Sequence, residues 1–121
     1  MTSSILIRSE PGRRLFFEVV NERSEAVASS VCYNSICRLE ATLTTLRHAA
    51  TNSTDIAVER NTKVTRLGSA SRRSRVAFVG ELDAIVTDSL LLAASTATLV
   101  DLRPPGRRHT HLAGRLCDLN F

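Results

Sequence analysis

Within residues 15–49 the spacing of apolar side chains switches from two to three-and-four, and this switch dictates a β-hairpin followed by a helix. The segment LFFEVV alternates, with Leu15, Phe17 and Val19 on one face, and its β-branched and aromatic residues suit a pleated strand. The polar connection Asn21 to Ser24 has hairpin length and composition. In EAVASS, Ala26 and Ala28 then alternate with Val27 and Ser29. Ser35 follows as an N-cap, its hydroxyl able to accept from the free amides of a first helical turn. Behind it Ile36, Leu39, Leu43 and Leu46 form one apolar stripe, which predicts a helix over 36–48. Arg47 and His48 fall at its C-terminal end, where positive charge suits the helix dipole. Thr42, Thr44 and Thr45 are poor helix formers, so the stripe needs a sheet to pack on.

Upstream, Ile5, Leu6 and Ile7 mark a short first strand, and Glu10-Pro11-Gly12 turns the chain. The second half repeats the plan more faintly. Ile56 and Val58 read as a strand, residues 62–73 as a Ser/Arg-rich loop, RVAFV (75–79) as a strand and DAIVTD (83–88) as another. A helix is expected over 93–102, stopped by Pro104-Pro105-Gly106. Glu25-Ala26-Val27 aligns with Asp83-Ala84-Ile85 at an offset of about 58 residues. The expected class is α+β: an antiparallel sheet built from two β-β-β-α repeats, the second degenerate, with the helices on one face. Residues 1–53 would be the first repeat, 54–103 the second sharing its core, and 104–121 a basic, loosely ordered tail.

The segment 15–49 resembles one repeat of the YegP-like family of small bacterial proteins of unknown function. The matching residues are Phe17, the run Glu25-Ala26-Val27-Ala28-Ser29-Ser30, Tyr33 with Ser35, and Leu43, Leu46 and Arg47 in the helix. The resemblance implies a three-stranded antiparallel sheet with one helix, present as a tandem pair or completed by dimerisation. The chain departs from the family pattern at Arg23-Ser24, where the family carries Asn-Gly, at Ile36 in place of Lys, and at Thr42 in place of Gly. In the second half Leu91 stands where the family has Tyr. The resemblance implies no catalytic residues.

Composition narrows the function classes. The aromatic share is 4% with no Trp, so a core must be made of Leu, Val, Ile and Ala. No run approaches the roughly 18 apolar residues of a membrane helix. The N-terminal stretch lacks a basic, then apolar, leader pattern. A cytoplasmic protein without a membrane partner is the expectation, and Cys32, Cys37 and Cys117, an odd number without scaffold spacing, agree with it.

Charge is uneven. Residues 1–59 balance to −1 and residues 60–121 to +5, which together make the net +4. Arg72, Arg73, Arg75, Arg107 and Arg108 are the basic clusters, and phosphate contacts by such side chains supply sequence-independent nucleic-acid affinity. Stacking aromatics are sparse in that half, with Phe78 and Phe121 alone. His109, His111 and Cys117, with a distant His48, meet no standard zinc spacing. Cys37, second in its helix, has no base beside it, since His48 is about three turns away. No residue set forms a catalytic, metal or cofactor site. The expected function is therefore a non-enzymatic binding module that pairs with itself as a dimer or with another protein. The alternative is weak, sequence-independent nucleic-acid binding through the five arginines.

Overall fold

The computed structural model describes residues 2–11 and 14–103. Among these residues, seven strands and two helices follow one another as β1 (Ser4–Glu10), β2 (Arg14–Val20), β3 (Ala26–Ser29), α1 (Ile36–Thr51), β4 (Ile56–Arg60), β5 (Val64–Ser69), β6 (Val76–Val79), α2 (Ala84–Thr96) and β7 (Thr98–Asp101). A 3₁₀ turn, Ser53–Asp55, precedes β4. The fold is α+β.

The strands form two sheets. The first has order β3-β2-β1-β7, the second β4-β5-β6. The first is mixed, because β7 runs parallel to β1, with Leu6 opposite Val100. The two sheets meet along one seam. Ser30, just after β3, bridges to Phe78 of β6, and the amide of Val31 donates to the Ala77 carbonyl at 3.1 Å. The strands thus read as a nearly continuous series, β7-β1-β2-β3-β6-β5-β4, and among the described residues its outer edges are β7 and β4.

One core serves both sheets. Ile5, Ile7, Phe17 and Val19 from the first join Leu67, Val76 and Phe78 from the second. At the seam the Phe17 and Phe78 rings meet edge to face, with centroids 5.8 Å apart and planes at 88°. The helices interleave across this seam. α1 lies chiefly on β5 and β6, α2 lies on β1, β2 and β3, and the two helices touch each other.

Local chemistry accounts for most element ends. Asn21 shapes the β2–β3 turn, its side-chain carbonyl accepting from the amides of Arg23 and Glu25 at 2.9 and 3.0 Å. Asn61 does the same between β4 and β5 for Lys63 and Val64. The Ser35 hydroxyl caps α1 by accepting from the Arg38 amide at 3.2 Å. The threonines of α1 return their hydroxyls to carbonyls one turn back, as Thr42 does to Arg38 and Thr44 to Glu40, which satisfies them within the helix. Its apolar stripe buries Ile36, Leu39, Leu43, Leu46, Ala49 and Ala50.

The second half departs from the sequence expectation in three places. Residues 62–73 are not one loop, since β5 occupies the middle of them. Its inward side chains include polar Thr65 and Ser69, which hid the alternation. Residues 83–88 are not a strand. Asp83 is an N-cap whose carboxylate accepts from the Val86 amide at 2.8 Å, and α2 begins at Ala84. The helix expected over 93–102 is the end of α2, and the chain continues into β7 because Thr98 to Asp101 find β1 to pair with. The strand read at 75–79 is present as β6, the third of its sheet rather than the second.

Candidate interaction surfaces

The three described arginines of the basic clusters sit at the β5–β6 connection but do different work. Arg75 turns back on its own loop. Its Nη1 donates to the carbonyls of Ser69 at 3.1 Å, Arg72 at 2.5 Å and Ser74 at 3.1 Å. Its Nε is buried without a hydrogen-bond partner, 4.0 Å from a Glu59 carboxylate oxygen. Arg75 is therefore a clip that holds the loop closed. Arg72 and Arg73 are exposed and make no ion pair among the described residues. Arg107 and Arg108, like His109, His111, Cys117 and the expected tail, lie outside the described residues. Arg47 and Arg60 also serve as clips, the first to the Ala97 carbonyl and the second to the Leu82 carbonyl.

Beside Arg72 a narrow polar cleft of about 100 Å³ runs between α1 and the loop, with His48, Ser69 and Ser74 in its walls. Asp55 braces it: one carboxylate oxygen accepts from the Ser69 hydroxyl at 2.7 Å, the Ser71 hydroxyl at 2.8 Å and the Ser71 amide at 3.3 Å. The Ser69 bond, then the Ser71 bond, hold the Asp55 carboxyl below its ordinary pKa, with His48 adding a smaller attraction. The Cys32 thiol is exposed and lies 2.9 Å from a Glu10 carboxylate oxygen. That hydrogen bond pushes its pKa up, so thiolate is scarce there. Among the described residues no group of three or more His, Cys, Asp and Glu is placed to hold a metal ion. No described helix is long and apolar enough to cross a membrane.

Two larger surfaces emerge only from the fold. The first is the face of the four-stranded sheet turned away from the helices. Because Ile5, Ile7, Phe17 and Val19 point into the core, their neighbours Leu6, Arg8, Phe16, Glu18 and Val20 point outward. Leu6 lies opposite Val100, and Arg8 lies opposite Phe16. None of Leu6, Phe16, Val20 or Val100 belongs to the core or packs against it. Arg8 and Glu18 form an ion pair in the middle of this face, and the Glu18 carboxylate also faces the Ser29 hydroxyl. Past the seam, Thr65 and Phe78 point inward, so Val64 and Val79 continue the outer face, and Val79 is 58% exposed.

The second surface is an open groove of about 510 Å³ between edge strand β4 and helix α2. Ile56 and Val58 form one wall, Leu91, Leu92 and Asp88 the other, and Arg60 closes one end. The Arg60 guanidinium donates to the Leu82 carbonyl and reaches the Thr87 hydroxyl at 3.3 Å. Asp88 makes no ion pair among the described residues. The backbone along this edge has a definite direction. The Ala70 amide donates to the Asp55 carbonyl, and the Asn61 amide to Val64, so the alternate residues 57 and 59 bond to β5. The N–H and C=O groups of Ile56, Val58 and Arg60 therefore point out of the sheet. Sequence reasoning missed this groove because one wall was read as a strand; the Asp83 cap was the available signal.

No protein-family model matches this sequence, and no curated protein matches it either. Solved structures do. The solution structure of yegP from E. coli, a protein of unknown function, superposes with a TM-score of 0.65 at 14% identity, covering 85% of this chain and 95% of that one. The UPF0339 protein SO3888 from Shewanella oneidensis superposes with a TM-score of 0.67, also at 14% identity, over 90% of this chain and 98% of that one. The chain thus has the YegP fold along nearly its whole described length, as the resemblance of residues 15–49 implied.

Proposed function

We propose that this chain is a small non-enzymatic binding module that self-associates through the helix-free face of its sheet. The observation that carries the reading is the set Leu6, Phe16, Val20 and Val100, apolar side chains that lie outside the one core. These side chains are partly buried and grouped around the central ion pair, and apolar residues gathered on a face outside the core favour an interaction site there. Its central charges cancel in the Arg8–Glu18 pair, so two copies related by a two-fold axis would meet without opposing net charge. Seven strands spaced about 4.8 Å apart and roughly 13–23 Å long offer on the order of 600 Å². A standard interface takes about 800 Å² from each partner.

Sedimentation at micromolar concentration tests the association. A concentration-dependent dimer is expected, and Phe16→Glu should leave a folded monomer because it buries an unpaired carboxylate in the interface. A wild-type protein that sediments only as a monomer would remove the reading.

A further inference from the structure

We propose that the groove between β4 and α2 is a strand-addition site for an extended peptide of another protein, carrying apolar residues at alternate positions and one basic residue. Three observations converge on it. First, among the described residues β4 is an outer edge, and the outward backbone groups of Ile56, Val58 and Arg60 meet no strand there. A peptide laid beside β4 would pair with those donors and acceptors as an added strand. Second, the space is there. An added strand would lie about 4.8 Å from β4 with alternate side chains about 7 Å apart, all facing the same way. The groove of about 510 Å³, walled by Ile56, Val58, Leu91 and Leu92, receives those side chains. Leu92 is 74% exposed at its rim, an apolar contact available to a ligand.

Third, the charge pattern selects the occupant. Arg60 is spent on the Leu82 carbonyl and Thr87, whereas Asp88 on the opposite wall has no ion pair among the described residues. A Lys or Arg of the peptide would meet it, and this pairing sets the register, because the backbone bonds alone carry no sequence information. The site is separate from the self-association face, which involves the other side of the sheet. Failure of one reading therefore leaves the other standing.

The probe is a synthetic heptapeptide, acetylated and amidated, of sequence Thr-Val-Thr-Val-Thr-Lys-Thr, which puts both Val and the Lys on one face of the strand, titrated into the isotope-labelled protein and followed by amide NMR. The amides of Ile56, Val58 and Arg60 should shift downfield and become protected from exchange. A peptide N-methylated at the nitrogens facing β4 should bind at least tenfold more weakly. Val58→Pro removes one outward donor and no bond to β5, and should weaken binding by at least tenfold. If that variant fails to fold, the N-methylated peptide still decides the matter. Asp88→Lys should weaken the Lys peptide and favour the same peptide with Glu in place of its Lys. Equal binding of the methylated peptide, or shifts confined to the helix-free face, would overturn the proposal. So would concentration-dependent shifts of the β4 amides without peptide, since a second copy would then own the edge.

Discussion

Phe17 and Phe78 come from opposite halves of the chain, are both fully buried, and meet edge to face at the seam between the sheets. A double-mutant cycle on this pair measures how strongly the halves are coupled. Replacement by alanine would cost about 3–5 kcal/mol, a large part of the 5–15 kcal/mol that holds a domain together, so leucine is the useful substitution. Each Phe→Leu change leaves a small void and should cost about 1–2 kcal/mol. The ring pair contributes about 0.5–1.5 kcal/mol beyond its buried area, and the double variant should be less destabilised than the two singles combined by that amount. Urea unfolding gives each value, followed by far-ultraviolet circular dichroism for the whole chain and by the fluorescence of Tyr33, the one tyrosine, for the first half. The two probes should report one midpoint. Additivity within about 0.3 kcal/mol, or separate midpoints, would refute the view that a single core binds the halves together.

Gly68→Ala should destabilise by about 1–3 kcal/mol, because a Cβ there would sit 2.4 Å from the Ser74 carbonyl oxygen and the clipped loop would have to move; urea unfolding reads it directly. Acid should loosen the same region. The Asp55 carboxyl has a lower pKa folded than unfolded, so its contribution is complete above the ordinary carboxylate value and fades as pH falls through the depressed one. Asp55→Asn or Ser69→Ala should flatten that acid-side slope, with the titration of Asp55 by NMR as the check; an unchanged slope in both would show that the bonds from Ser69 and Ser71 do not carry it.

The first half was legible because its signals are local and agree with one another. Inward positions of β1 and β2 are apolar, Ser35 caps the helix, and the α1 stripe keeps its period without interruption. The second half hides the same kind of information in polar side chains whose partners are distant. Thr65 is fully buried because its hydroxyl donates to the Gly80 carbonyl and accepts from the Leu82 amide, an exchange that no window of neighbouring residues displays. The β-branched run Ile85-Val86-Thr87 argued for a strand, and the Asp83 cap with the buried Leu90, Leu91 and Ala94 overrode it. Of the candidate surfaces, composition could point only to arginine. That Arg75 is a loop clip, and that β4 has no further strand beside it among the described residues, depends on residues far apart in the chain.

The interleaving of the helices also has a bearing on how the protein is made. A chain that has emerged from the ribosome as far as Thr51 holds the whole of α1, but most of the sheet surface that α1 covers, on β5 and β6, is still untranslated. Synthesis proceeds at about 5–20 residues per second, so the stripe of Ile36, Leu39, Leu43 and Leu46 waits one to several seconds for its cover. The sheet of β1 to β3 waits longer still, since α2 closes it only after Thr96 and β7 only after Asp101. The nascent form of this protein is thus a sheet and a helix that do not complete each other, a stage at which a chaperone or a second nascent chain has more apolar surface to hold than the finished fold offers.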